Sequence, residues 1–169
     1  MAKIKNAVFA VLVIFLASFF LGCVGTKETK LEPKAEGKAL YSYITAGNNY
    51  KKWDKWPGTR EFYPKSAGSP HGDLLITYVN DKALPAIQGK AGSLPDESII
   101  VKENYMPDKT LDALTVMYKE NGYDPAHNDW FWAKYSPTGE VQAEGKVGMC
   151  NDCHGKQKDN DYTFTSPLK

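Results

Sequence analysis

Residues 99–147 read IIVKENYMPDKTLDALTVMYKENGYDPAHNDWFWAKYSPTGEVQAEGKV, and this stretch decides the fold. Ile99 to Tyr105, Leu111 to Tyr118, Trp130 to Tyr135 and Val141 to Val147 are short runs rich in β-branched and aromatic residues, the types that suit a pleated sheet. Between them stand Pro107-Asp108, Gly122 with Asp124-Pro125, and Ser136-Pro137-Thr138-Gly139, all residue types that reverse a chain. Links this short join antiparallel neighbours, because a parallel crossover needs about a dozen residues or more. Ser136 to Gly139 is the clearest hairpin.

Side chains alternate across a strand, so each run can be sorted by face. Ile100, Lys102 and Asn104 share one side, with Ile99, Val101, Glu103 and Tyr105 on the other. Leu114, Val116 and Tyr118 oppose Thr115 and Met117; Trp130, Trp132 and Lys134 oppose Phe131, Ala133 and Tyr135. Both faces carry bulk, so both must be covered, and a large flat apolar ligand would serve on one of them. Lys102 stands among apolar neighbours.

Upstream, Leu74 to Val79 is a further strand, and Leu40, Tyr41, Tyr43 and Ile44 fit an amphipathic helix that starts at Ala39 and ends near Gly47. The expected class is α+β: a mainly antiparallel sheet with an N-terminal helix and a short C-terminal helix. That last helix carries Cys150-Asn-Asp-Cys153-His154, bounded by Gly148 and Gly155. Two residues between the thiols put both sulfurs on one side of a helical turn, within reach of the two vinyl carbons of a porphyrin, and the adjacent histidine falls under the iron. The segment therefore reads as a c-type haem attachment site, with Cys150 and Cys153 binding the cofactor and His154 the metal. A disulfide or a zinc site are the alternatives, but the βαβ context of a redox CxxC is missing and only three zinc ligands are adjacent. For a sixth iron ligand the candidates by chemistry are Met106, Met117, Met149, His71 and His127; spacing places none of them, and the expectation is an open or aromatic-walled distal site.

The N-terminus supplies the compartment. Lys3 and Lys5 precede an apolar run from Ala7 to Leu21, shorter than the about 20 residues of a membrane span, and Phe20-Leu21-Gly22-Cys23 is similar to a bacterial lipobox. Residues 1–22 are expected to be a lipoprotein-type signal peptide, Cys23 the lipidated residue that anchors the mature chain to a membrane surface, and 23–38 a polar tether. The domain is expected over 39–169. The chain is exported on this reading and faces the periplasm. The 169 residues include 21 basic and 20 acidic side chains, interspersed, which leaves no footprint for nucleic acid.

SPHG at 69–72, YVN at 78–80, SIIVKENYM at 98–106, TVMYK at 115–119, GYDP at 122–125, NDWFWAKY at 128–135 and EGKV ahead of CNDCHG resemble the cytochrome P-460 family, to which the β-sheet cytochromes c'-beta are related in fold. The resemblance runs from about Ser69 to Gly155. It implies a mainly antiparallel fold, usually dimeric, around a five-coordinate haem c whose distal side is open to small ligands. In P-460 proteins proper a lysine on the VKE strand bonds to the porphyrin edge, and Lys102 holds that place. A distal carboxylate on the following strand accepts protons in the hydroxylamine-oxidising members; Thr115 stands there, and threonine is no base near neutral pH. Hydroxylamine oxidation thus loses its expected base. The leading expectation is a haem protein that binds nitric oxide or a similar small nitrogen ligand, followed by an oxidoreductase of hydroxylamine or nitric oxide with Lys102 cross-linked, and by an electron-transfer cytochrome.

Overall fold

A computed structural model describes residues 33–169, so the signal segment 1–22, Cys23 and the tether as far as residue 32 lie outside the described residues. The chain runs α1 (Gly37–Ser42), β1 (Asp54–Lys55), β2 (Tyr63–Pro64), β3 (Leu74–Val79), α2 (Ala83–Gln88), β4 (Ile99–Tyr105), β5 (Leu111–Lys119), β6 (Trp130–Tyr135), β7 (Val141–Gly145) and α3 (Gly148–His154). All pairings are antiparallel, in the order β1-β3-β4-β5-β6-β7, with the two-residue β2 lying beside β3 as well. The α+β class is as the sequence predicts. α1 continues without a break as a wider-wound turn over Tyr43–Gly47.

The period-2 reading holds across the whole sheet. Thr77, Lys102, Thr115 and Lys134 are successive cross-strand partners, as are Val79, Ile100, Met117 and Trp132 on the same face. On the opposite face Ile76, Val101, Leu114, Val116, Phe131 and Tyr135 are buried beneath Leu40 and Ile44 of the first helix. The hairpin at Ser136–Gly139 closes with Gly139 N–H donating to Ser136 O at 3.0 Å; Gly139 has φ +88°, where a side chain would also strike the Tyr41 ring.

Residues 33–38, expected in the tether, belong to the folded unit. Tyr118 Oη donates to Pro33 O, the Ala35 amide to Glu120, and Tyr135 Oη to Gly37 O at 2.9 Å. Their composition is polar, but Glu36 and Lys38 stay exposed while Pro33 and Gly37 are buried, so backbone and small residues make the contact. The last expected strand stops at Gly145, with φ +95°, rather than at Val147, because the chain must turn into α3. α2 and the two-residue strands were not legible as separate elements.

Glu103, on the helix-covered face, is 1% exposed and accepts hydrogen bonds from Tyr50 Oη and Tyr105 Oη, both at 2.8 Å. Burial and this carboxylate together raise the Tyr50 and Tyr105 hydroxyls well above the usual phenol range, so both remain donors. A buried carboxylate is tolerated only with such partners. Replacing Tyr50 by Phe removes one donor and is expected to cost roughly 1.5–3 kcal/mol, read as a lowered urea midpoint with unchanged slope.

Candidate functional site

The face opposite Glu103 is not closed by protein alone. Between the sheet, α3 and residues 163–165 lies a cleft with about 1100 Å³ of unfilled space, its mouth included. A second opening of about 1420 Å³ adjoins it under residues 58–70, and the residues common to both include His71, Lys102, Cys153, His154 and Phe164. The floor is the strand face predicted from alternation: Ile100, Lys102, Asn104, Thr115, Met117 and Trp132.

α3 is aimed by a residue inside its motif. Asn151, 6% exposed, accepts a 2.6 Å hydrogen bond from Trp132 Nε1 and so ties the first turn of the helix to β6. Cys150 and Cys153 are half-buried free thiols on the cleft wall; burial, and then the neighbouring Cys153, push the Cys150 thiol up. His154 is 9% exposed, with the Trp132 ring centre at 4.7 Å and that of Phe164 at 5.3 Å. Its Nδ1 lies 2.7 Å from Tyr162 O, and since a carbonyl only accepts, Nδ1 carries the proton and Nε2 presents a bare lone pair. Burial pulls the imidazole down to about 4, so it stays neutral near pH 7.

Tyr162 is held in turn by Asp161, a residue that sequence reasoning missed. The Asp161 carboxylate takes Lys119 Nζ at 2.8 Å, the Leu94 amide at 2.7 Å and Asn128 Nδ2 at 3.0 Å, while its carbonyl accepts from Trp130 Nε1. An isolated Asp in a Lys- and Asp-rich tail gives no sequence signal of such burial.

The residues fit a flat, largely apolar group anchored at one edge. The cleft has two thiols and an imidazole with its metal-binding nitrogen free at one end, aromatic walls beside them and, beyond, a strand face on which Ile100 and Met117 alternate with Lys102 and Thr115. Among the described residues no three His, Cys, Asp or Glu side chains converge as a metal cage, so the zinc alternative finds no fourth ligand.

Of the other predicted residues, Lys102 and Thr115 are cross-strand partners on the cleft floor. Burial pulls the Lys102 amine down to about 8. Thr115 Oγ1 accepts from Asn104 Nδ2 at 3.2 Å. Glu103 is on the far face, and the exposed Asp112 reaches only the cleft lining next to a register shift in β4–β5. Met117 packs in the floor, Met149 is 72% exposed at the rim, Met106 is 46% exposed and outside the cleft, and His127 pairs with Asp124 at 2.8 Å. His71, a sixth-ligand candidate that spacing does not place, lines both openings, and its ring centre lies 6.2 Å from that of His154.

Because deprotonation leaves an amine neutral and nucleophilic, Lys102 should gain reactivity as pH rises through about 8, whereas exposed lysines do so near about 10.4. Pulse acetylation of protein lacking the cofactor, followed by peptide mass spectrometry at several pH values, should place Lys102 at half-maximal labelling about two units before the rest.

No curated protein matches the chain. The family model described as Cytochrome P460 matches residues 47–165. That span takes in every strand, α3 and all of the cleft: the chain belongs to the cytochrome P460 family, and haem is the cofactor that membership implies.

Proposed function

We propose that this protein is an exported c-type haem protein that binds nitric oxide or a similar small nitrogen ligand. The observation that carries it is the set of Cys150, Cys153 and a neutral His154 with Nε2 free, on one wall of a single cleft. Cys150 and Cys153 would hold haem through thioethers and His154 would ligate its iron, which would supply the centre where a small ligand binds. The chain's own part is to orient that imidazole through Tyr162 O, to wall the group with Trp132 and Phe164, and to exclude water with Ile100 and Met117 of the floor. Among the described residues the cross-strand neighbours of Lys102 are Thr77 and Thr115 and neither is a carboxylate, which favours binding over proton-coupled oxidation. Export and anchoring through Cys23 belong to this proposal, as does assembly as a homodimer.

A second reading rests on Lys102. An amine pulled down to about 8 on the cleft floor is a usable nucleophile, and a bond from it to the porphyrin edge would suit an oxidoreductase of hydroxylamine or nitric oxide.

Matured protein should stain for haem on a denaturing gel, and replacing both Cys150 and Cys153 by Ala should abolish the stain; a colourless wild type sinks the proposal. Nitric oxide should change the absorption of the ferrous protein stoichiometrically. For the second reading, the haem-peptide mass of Lys102→Arg should differ from wild type by more than the substitution itself; no further difference removes it.

A further inference from the structure

His71 is the one imidazole in the cleft besides His154, and its surroundings fix it as closely. Asn104 Nδ2 donates to Lys102 O at 3.0 Å, Ala113 O at 3.2 Å and Thr115 Oγ1 at 3.2 Å. Its Oδ1 accepts from the Gly72 amide at 3.1 Å, which can only donate. The orientation of the Asn104 amide is thereby determined, and the second group on Oδ1, His71 Nδ1 at 3.1 Å, must carry its proton. Nε2 of His71 is then a bare lone pair, like Nε2 of His154. Both histidines have the arrangement of metal ligands: Nδ1–H on a protein oxygen, Nε2 free for the metal.

The loop is built to hold that position. At residue 72 a side chain would meet Tyr105 N at 2.6 Å and Tyr105 O at 2.8 Å, so only glycine lets the chain come this close to β4. Ser69 Oγ accepts the His71 amide. The motif SPHG is therefore a device for placing one imidazole over Asn104.

The two rings stand with centres 6.2 Å apart and planes at 87°. Imidazoles bound on opposite sides of one metal, through bonds of about 2 Å each, have ring centres about 6 Å apart. Such a gap holds the metal and its two bonds and leaves no room for a third ligand between them.

We propose that His71 is the second axial ligand of the haem iron, trans to His154, and that a small ligand reaches the iron by displacing it. This rests on the haem assignment above and replaces the open distal face expected from sequence. Displacement is within reach of the fold, because none of residues 57–73 is buried and the segment that carries His71, residues 65–71, adds no side chain to either core.

The test is the absorption and electron paramagnetic resonance of the ferric, haem-loaded full chain. Wild type is expected to be low-spin with a two-imidazole signal; His71→Ala should be high-spin, return to low-spin on addition of imidazole, and bind carbon monoxide in the ferrous state at least about tenfold faster. Asn104→Leu keeps the ligand but frees it, and should give a spin mixture. A haem-stained wild type that is high-spin, or a low-spin state that survives His71→Ala, overturns this inference alone. A wild type with no haem stain overturns the haem assignment as well.

Discussion

The structure depends on a sheet that packs one face under the first helix and turns the other to the cleft, with β3 to β6 held in register from Thr77 to Lys134. Neighbouring residues of β4 illustrate what that constraint does. Glu103 turns to the helix-covered face, where Tyr50 and Tyr105 donate to its carboxylate, while Lys102, one peptide away, faces the cleft. A slip of one residue would bring a carboxylate into the cleft and an ammonium among the tyrosines. The paired hydroxyls on Glu103 thus oppose any such slip, and they keep the nearest acid away from Lys102.

Much of this was legible because strand periodicity needs no long-range information. Ile99 to Tyr105 and Trp130 to Tyr135 have the same bounds in the structure as in the sequence, and the cross-strand neighbours Lys102 and Thr115 follow from counting along two runs. The thiol and histidine spacing pointed in the same local way to three side chains that line one cleft. What stayed hidden is what other segments do to these residues. Asn151 reads as filler within the motif until Trp132 is seen to donate to it. His71 reads as a loop residue until Asn104, far along the chain, fixes its tautomer. The polar residues 33–38 read as a tether because composition does not show that a backbone carbonyl will meet a buried tyrosine.

The two histidines also bring together functions that looked separate. On the proposed ligation, one axial imidazole suits ligand binding and two suit electron transfer, and a second imidazole on an unburied loop would allow both states in one molecule. Selectivity then lies in the strength of the incoming ligand, since it must compete with Nε2 of His71 held over Asn104. Thr115, which is no base near neutral pH, serves that arrangement by accepting from Asn104.

Asp161 and Tyr162 both have left-handed backbone, at φ 49° and 62°, a conformation that costs about 1 kcal/mol or more per residue and persists only where neighbours enforce it. The enforcement comes from Lys119, Leu94, Asn128 and Trp130, drawn from four stretches of chain, and its product is the single carbonyl that orients His154. The tail after α3 is thus a latch that can shut only on a finished sheet. Colour and spin state of the cofactor become a gauge of folding, because loosening the far end of β5 would reach the iron through that one peptide unit.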